Sequence, residues 1–458
     1  MLFPSGLAKV HETPRSLGRS GATLIAETRG AELAGIREIL EMESRRPVPT
    51  PSKSLPGWFN GSLADVRTHG WSILSDVPLP AMTLDRAALL HNIALFHGYL
   101  AARGALLAPH AKTTMCPRIW AAQLEAGAWA LTVANVSQLE VCVHYRVPRV
   151  LIANEVSSFY DVRRLASIAS ENSWMEIMCL VDSVEVVELL AEAIGEVGSG
   201  RRLDVLVELG MPGGRAGART IDDLTAVAHA VSDASATLRL VGLEGYEGII
   251  SPRRGSGPQE AVDAYLALWV EAADQVLRLV EPGAPRIVSS GGSIWFDRVL
   301  DAFARIETDC DLVIRSGGYV THDSLLFDAG SPLGSTTGND ESSTLTAALS
   351  VHAAVLSRPE PGVAIVGAGG RDLPTDAGYP VVLGITDNLG NERHVPAATV
   401  TKVNDQHLYL EVPADAHLVP GDIVRLGISH PCTAFDRWRI ILETDSHGTV
   451  LDAVTTYF

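Results

Sequence analysis

Lys112 is the residue of this chain whose chemistry is hardest to replace. It is the only lysine between Lys53 and Lys402, although arginines are frequent in that stretch. A guanidinium stays protonated and forms no imine, whereas an amine whose pKa is lowered by burial can attack a carbonyl carbon and later move a proton. The apolar run 105–107 lies just before it, so Lys112 is predicted to sit in a loop after a buried strand. Taken alone, it is also compatible with an ordinary loop lysine.

Three glycine-containing loops follow other apolar runs. The loop 210–217 presents Arg215, although its glycines are equally compatible with simple tight turning. The Ser-Gly-Gly-Ser segment 290–293 precedes a predicted helix near Ile294, and backbone N–H groups at such a helix start bind phosphate. A third loop ends at Tyr319, whose hydroxyl is a candidate hydrogen-bond donor. Together these loops indicate a site for an anionic ligand.

A histidine and a cysteine two positions apart form a further candidate site near the C-terminal end of the sequence. His430 and Cys432 flank a proline, and imidazole and thiolate are both ligands that zinc accepts. Two protein ligands leave positions open for water or substrate, which suits a catalytic ion. Asp436 is a candidate further ligand or supporting residue, with an ordinary turn role as the alternative. By spacing alone, a buried structural cysteine beside a surface histidine explains the same pattern.

Eight short apolar runs alternate with longer amphipathic stretches in the middle of the chain. This alternation is typical of βα units. Eight units over roughly 210 residues favour a closed (β/α)8 barrel, with an open doubly wound sheet as the alternative. The strand-like runs are 105–108, 130–133, 149–153, 176–181, 203–208, 238–243, 286–289 and 312–315, and helices are predicted over 159–170, 184–197, 221–235 and 260–280.

In such a barrel, functional residues lie in the loops after the strands. Lys112, Arg215 and the 290–293 loop would therefore meet at one end. An imine-forming lysine, a phosphate-binding loop and an arginine are the parts needed to hold pyridoxal phosphate.

The flanks have different patterns. Short alternating runs separated by glycine, proline and aspartate fill the C-terminal part, which is typical of an antiparallel β domain. Residues 1–60 are predicted to be an appendage with one helix near 31–42. The predicted domains are thus the appendage, a barrel over 61–335 and a β domain with the metal site over 336–458.

Composition excludes several classes of protein. The chain has 458 residues, 47% of them hydrophobic and 20% charged, which is the balance of a soluble globular protein. A net charge of −18 disfavours nucleic acid as a partner. Five cysteines without a close-spaced pair indicate a reducing cytoplasm rather than a disulfide framework. Since neither a signal-peptide core nor an apolar stretch of spanning length is present, neither secretion nor membrane insertion is expected.

From about residue 70 onward, the ordered motifs together resemble the D-serine dehydratase and D-threonine aldolase family of fold-type III pyridoxal phosphate enzymes. The resemblance implies an alanine-racemase-like barrel followed by a β domain, and a homodimer. It also implies that Lys112 carries the cofactor as an imine, that Arg215 contacts the cofactor ring oxygen or the substrate carboxylate, and that His430 and Cys432 hold zinc. The motifs that carry it are 109–114, 210–217, 290–293, 318–319 and 429–432, and the implied cofactor-binding residues are His110, Lys112, Arg215, Tyr246, Gly291, Gly292, Ser293 and Tyr319.

Two details bear on the reaction. The aldolase pattern usually carries His-x-Asp at the metal, and the His-Pro-Cys found here resembles the zinc-dependent dehydratase branch. The family's Lys-Thr-His-Lys run is replaced by Lys112-Thr113-Thr114-Met115, as in a bacterial subgroup of amino acid deaminases. We therefore expect elimination of water and release of ammonia from a D-β-hydroxy amino acid: D-serine, D-threonine or 3-hydroxyaspartate. The alternatives are a metal-dependent D-threonine aldolase, an amino acid racemase and a non-catalytic pyridoxal phosphate carrier.

Overall fold

The computed structural model describes residues 33–49, 51–395 and 397–458. Helix α1 covers 33–44 of the described chain, so the first part of the helix predicted near 31–42 lies outside the described residues. Ile36 belongs to the main hydrophobic core, and Phe59 packs with Trp71 and Leu442 in a second core. The described part of the predicted appendage is thus packed against the rest of the protein.

The remaining elements alternate along the middle of the chain, as the periodicity predicts. The strands are β1 (Ala81–Asp85), β2 (Leu106–Leu107), β3 (Leu131–Val133), β4 (Arg149–Glu155), β5 (Glu176–Val181), β6 (Leu203–Leu209), β7 (Leu238–Gly245), β8 (Ile287–Ser290), β9 (Asp311–Ile314), β10 (Leu349–Glu360), β11 (Val363–Val366), β12 (Val381–Thr386), β13 (Thr399–Val403), β14 (Leu408–Glu411), β15 (Ile423–Gly427), β16 (Ile440–Thr444) and β17 (Val450–Thr455). The helices after α1 are α2 (Leu63–Val66), α3 (Arg86–Ala101), α4 (Pro117–Glu125), α5 (Val136–His144), α6 (Phe159–Glu171), α7 (Val184–Val197), α8 (Ile221–Asp233), α9 (Ser256–Leu279), α10 (Phe296–Phe303), α11 (Leu326–Gly330) and α12 (Cys432–Phe435).

The eight predicted runs correspond to β2 through β9, which form one parallel sheet in the order β2-β9-β8-β7-β6-β5-β4-β3. The two end strands also meet. The amide of Trp129 donates to the carbonyl of Leu107 at 2.7 Å, and that of Thr132 donates to the carbonyl of Pro109 at 2.9 Å. These bonds close the sheet, and the predicted (β/α)8 barrel is confirmed.

The barrel interior is packed with apolar side chains. Alternate residues of a strand point to opposite faces of the sheet, so each strand supplies one or two side chains to the inside. This inner cluster is fully or almost fully buried and comprises Ala108, Ala130, Leu151, Met178, Leu180, Leu206, Val241, Ile287 and Val313. Because the interior is filled, a ligand has room only at the ends of the barrel.

The second sheet is mostly antiparallel and is built largely from the C-terminal part of the chain. Its central strand is β1, which pairs antiparallel with β10 and parallel with β16. The chain therefore enters the second sheet before it forms the barrel. The division of the chain at residues 61 and 336 stays a prediction, but β1, which lies within the predicted barrel domain, belongs to the second sheet.

Candidate active site

A cavity of about 340 Å³ lies where the C-terminal ends of the barrel strands meet the second sheet. Lys112 and Arg215 line it from the barrel, and His430 and Cys432 line it from the β domain. The other lining residues are His110, Thr113, Ala153, Leu180, Glu208, Glu244, Tyr246, Gly248, Pro252, Gly291, Gly292, Ser293, Ile294, Arg315, Ser316, Gly317, Gly318, Leu326 and Phe327. Nine of the ten residues that the sequence singles out for the site therefore face one space.

Lys112 lies in a short 3₁₀ helix, Ala111–Thr113, directly after β2. Burial lowers the pKa of its amine below the ordinary value, and the positive charges of Arg215 and Arg315 act in the same direction, against an opposing effect of Cys432. Lowering this pKa favours the neutral amine, which is the nucleophilic form.

His110 lies beside this lysine, and its Nδ1 atom is buried without a hydrogen-bond partner among the described residues. Burial lowers the pKa of His110 well below its ordinary value, and the positive charge of Lys112 adds to that effect. A buried ring nitrogen without a partner costs free energy unless a ligand or water satisfies it. This nitrogen and the neutral amine fit a bound aldehyde cofactor with polar groups on its ring.

Thr114, which departs from the Lys-Thr-His-Lys run, helps to hold the loop that carries Lys112. Thr114 Oγ1 accepts hydrogen bonds from Trp120 Nε1 at 3.2 Å and from the Cys116 amide at 3.3 Å. Trp120 Nε1 also donates to the Ala111 carbonyl at 3.3 Å. Thr114 thus has a structural role behind the loop, where the family commonly has an imidazole.

Arg215 is presented by a loop that other residues hold in place. The Gly217 amide donates to Asp182 Oδ2 at 3.0 Å, and Arg219 donates to the Ala216 carbonyl at 2.8 Å. The guanidinium of Arg215 lies over the ring of Tyr246, 4.9 Å from its centroid, which is a cation–π contact. Arg215 and Tyr246 therefore form one wall of the cavity.

The 290–293 loop follows β8 as predicted, but two of its amides already have an acceptor. The amides of Gly291 and Gly292 donate to the carboxylate of Glu247 at 3.0 and 2.7 Å. The amides predicted to bind a phosphate are thus engaged on the far side of the loop. Ser293 lines the cavity, and its Oγ accepts a hydrogen bond from the Gly318 amide at 3.3 Å.

Tyr319 is the one predicted cofactor-binding residue that is absent from the cavity wall. Its ring stacks on Phe96 with centroids 4.3 Å apart, and its hydroxyl accepts a hydrogen bond from Gln123 Nε2 at 2.9 Å. Its neighbour Gly318 lines the cavity instead. The side chain of Tyr319 supports the loop from inside the core.

Arg315, which ends the last predicted strand, is a cavity residue that the sequence reasoning missed. It donates to the carboxylate of Glu244 and, through Nε, to Ser289 Oγ at 2.9 Å. Both charged side chains are almost completely buried. Arg315 and Glu244 lie at the ends of strands, which is the signal that was used for the other candidates. The same signal could have identified these two residues.

A pair of carboxyl groups, Glu155 and Glu208, lies at the ends of β4 and β6. Burial raises the pKa of Glu155 to about 9, and its hydrogen bond to Glu208 adds to the effect, so Glu155 favours its neutral form at neutral pH. Glu208 lines the cavity, while one oxygen of Glu155 is buried without a partner among the described residues. The mouth of the barrel therefore carries acidic groups as well as basic ones.

His430 and Cys432 face the cavity from the segment between β15 and β16, beside the lysine loop. Thr113 Oγ1 lies 3.5 Å from Cys432 Sγ. His430 Nδ1 is 2.6 Å from Asp376 Oδ2, and this carboxylate also accepts a hydrogen bond from Thr433 Oγ1 at 2.8 Å. Burial lowers the pKa of His430, but the hydrogen bonds and charges of Cys432 and Asp376 outweigh it and raise that pKa to about 9.

Asp376 was also missed, because nothing in the spacing of the sequence connects it with His430. A carboxylate on one ring nitrogen of a histidine leaves the other nitrogen for a metal and increases its basicity. Over the described ranges, no group of three or more histidine, cysteine, aspartate or glutamate side chains is arranged to hold a metal ion. The assignment of His430 and Cys432 as ligands of a zinc ion therefore stays a prediction. Asp436 hydrogen-bonds Arg437 instead.

A family model described as a putative serine dehydratase domain matches residues 348–443. D-threonine aldolase of Arthrobacter sp is 26% identical over 365 residues, which are 79% of this chain and 88% of that enzyme. D-threo-3-hydroxyaspartate dehydratase of Delftia sp. (strain HT23) is 27% identical over 351 residues, 72% of this chain and 82% of the dehydratase. Over most of its length, the chain is similar to enzymes of the D-serine dehydratase and D-threonine aldolase family. The resemblance predicted from the motifs is confirmed.

Solved structures share this fold over most of the chain. The crystal structure of D-threonine aldolase from Filomicrobium marinum has a TM-score of 0.71 at 26% identity and covers 84% of this chain and 97% of its own. Structures of the Delftia dehydratase include a histidine-to-alanine variant and a metal-free cysteine-to-alanine variant. Alanine racemase from Bacillus anthracis, at 16% identity, has the same fold with a TM-score of 0.55 over 82% of this chain and 97% of its own. The predicted alanine-racemase-like fold is confirmed.

Proposed function

We propose that this protein is a pyridoxal phosphate- and zinc-dependent lyase that converts a D-β-hydroxy amino acid into a 2-oxo acid and ammonia. The observation that carries the proposal is the single cavity lined by both Lys112 and the His430–Cys432 pair. These groups come from two different sheets and are far apart in the sequence. Proteins similar to this chain include aldolases and a dehydratase, and their names state that they act on hydroxylated D-amino acids.

Lys112 would link the cofactor and then act as the base. Bound pyridoxal phosphate would supply an aldehyde for the amine and a ring that acidifies the α-hydrogen of an attached amino acid. Lys112 Nζ would be the group that accepts this hydrogen as a proton. Its lowered pKa suits this role, since a base is most effective when its pKa lies near the working pH.

Arg215 would orient the substrate or cofactor by charge. It and Arg315 are the two arginines that line the cavity among the described residues, and Arg315 is paired with Glu244. The guanidinium of Arg215 is therefore the better placed to donate hydrogen bonds to a carboxylate or to the cofactor ring oxygen.

His430 and Cys432 would hold the zinc ion, and Asp376 would fix the imidazole. A bound zinc ion would supply Lewis acidity toward the β-hydroxyl group, which is a poor leaving group as free hydroxide. The His-x-Cys spacing supports the dehydratase branch, because the histidine and cysteine replaced in the Delftia structures are also two positions apart. Overall, the substrate loses water, regains water on release, and yields ammonia and a 2-oxo acid.

A D-threonine aldolase is the second candidate function. The match to the Arthrobacter aldolase, which covers 79% of this chain, supports it. The same lysine and metal residues would then act on the Cα–Cβ bond, with the β-hydroxyl losing its proton instead of leaving. Glycine and an aldehyde would be the products.

The test is an assay on purified protein with added pyridoxal phosphate and zinc. D-serine, D-threonine and 3-hydroxyaspartate are supplied separately, with and without a chelator, and ammonia, 2-oxo acid, glycine and aldehyde are measured together. Chelator-sensitive ammonia from one substrate is the expected result. Glycine and aldehyde from D-threonine, without ammonia, would identify the aldolase, and inversion without ammonia would identify a racemase. Full activity in a metal-free preparation would refute the role of zinc.

A homodimer in the cytoplasm is also part of the proposal. Cys116, Cys142, Cys179 and Cys432 are free thiols, which supports a reducing compartment. No helix in the described part of the chain is long and apolar enough to cross a bilayer. Sedimentation at the working concentration would test the oligomeric state.

A further inference from the structure

Glu247 is a fully buried carboxylate surrounded by hydrogen-bond donors. It follows Tyr246 at the end of β7, in the 3₁₀ helix Glu247–Ile249. Its Oε2 accepts from Ser290 Oγ at 2.9 Å and from the Gly291 amide at 3.0 Å, and its Oε1 accepts from the Gly292 amide at 2.7 Å. Three donors aimed at one carboxylate stabilise its charge in the interior.

The same loop is held from its other side by the next strand. Ser316 Oγ donates to the Gly292 carbonyl at 2.7 Å, so both the N–H and C=O groups of that residue are engaged. Gly291 has a φ of +96°, which a side chain would strain. The loop is therefore fixed in one conformation.

Glu247 lies behind the loop as seen from the cavity. Gly291, Gly292 and Ser293 are cavity-lining residues, whereas Glu247 is absent from the wall. The glycine amides point away from the cavity toward this carboxylate. The Ser293 hydroxyl and the Gly318 amide, which are 3.3 Å apart, form the edge that faces inward.

We propose that Glu247 is a positioning residue for the phosphate group of the cofactor. By taking the amides of Gly291 and Gly292, it turns the loop so that Ser293 and the start of the neighbouring loop at Gly318 receive the anion. This inference rests on the proposed cofactor but not on the reaction catalysed. Replacing Glu247 with glutamine would put an NH₂ group opposite donors, leave at least one of them without an acceptor, and loosen the loop.

The test compares two ligands that differ only in the phosphate. Dissociation constants of pyridoxal phosphate and of pyridoxal are measured on the apoenzyme, from the absorbance of the imine with Lys112. Glu247→Gln should raise the dissociation constant of pyridoxal phosphate by about tenfold or more. The dissociation constant of pyridoxal should change by less than about twofold. The matched control is Glu411→Gln, the same change at an exposed position of β14, which should alter neither constant.

A second variant covers the case in which Glu247→Gln does not fold. Ser290→Ala removes one of the three donors and should shift the ratio of the two constants in the same direction by a smaller factor. If the variants weakened the binding of both ligands equally, or weakened the binding of neither, the proposal would be overturned. A wild-type protein without preference for the phosphorylated ligand would also overturn it. A phosphate preference that depends on Glu247 in a protein that releases no ammonia would refute the proposed reaction alone.

Discussion

The two walls of the cavity use opposite electrostatics. On the barrel wall, burial and neighbouring cations lower the pKa values of Lys112 and His110, which increases the neutral fraction of each group. On the β-domain wall, Cys432 and Asp376 raise the pKa of His430 to about 9 despite burial, so its imidazole favours a positive charge. Groups whose environments move their pKa values apart have different chemical roles. The barrel wall is suited to nucleophile and base chemistry. On the β-domain wall, the thiol and carboxylate that stabilise the proton on His430 would also stabilise a cation that replaces this proton.

Loss of the barrel-wall amine should have the largest effect. Lys112→Ala should abolish the imine absorbance and reduce turnover by roughly 10³-fold or more, because nucleophile and base are lost together. Lys112→Arg keeps the positive charge and should be equally inactive, since guanidinium forms no imine. Absorbance spectra and product assays check both variants. An intact imine band in Lys112→Ala would disprove the assignment.

A change behind the β-domain wall should have an intermediate effect. Asp376→Asn removes the carboxylate that orients His430, and we expect zinc affinity to fall by roughly 10- to 100-fold. Zinc titration against a competing chelator measures it. The matched control is Asp436→Asn, because Asp436 hydrogen-bonds Arg437 rather than His430. An equal loss of zinc affinity in the two variants would show that Asp376 does not support the zinc site.

The smallest effect should be a shift in pH dependence on the barrel wall. The positive charge of Arg215 lowers the pKa of Lys112, so Arg215→Gln should raise that pKa. The rate of imine formation by the apoenzyme depends on the neutral amine, and its midpoint should therefore move to higher pH. Arg215→Lys keeps the charge and should keep the midpoint. Stopped-flow measurements across pH would contradict the prediction if the midpoint moved to lower pH.

The sequence predicts the barrel well because each of its strands is a short apolar run followed by an amphipathic helix. It predicts the second sheet less completely. The long strand β10 contains Arg358 and Pro359 near its exposed end, which interrupts the alternation that indicates a strand, and β1 gives no signal that its partners lie far along the chain. Strand boundaries depend on local pattern, whereas pairing depends on contacts between distant segments.

The same distinction applies to the cavity. Residues beside a recognisable motif, such as Lys112 and His430, can be selected from the sequence. Asp376 and Glu247 act through hydrogen bonds to residues more than forty positions away, so no local spacing identifies them. Tyr319 is the opposite case: it belongs to a recognisable motif but is absent from the cavity wall. A position in a motif does not fix the direction of a side chain.

The position of β1 also affects the order in which the protein can fold. This strand is made early by the ribosome, but its partners β10 and β16 begin only at Leu349 and Ile440. The barrel can therefore emerge while β1 still has both edges unpaired, and such edges promote association between chains. Contacts of such large sequence separation also form slowly. A nascent chain of this protein should depend on protection of β1 until synthesis is nearly complete.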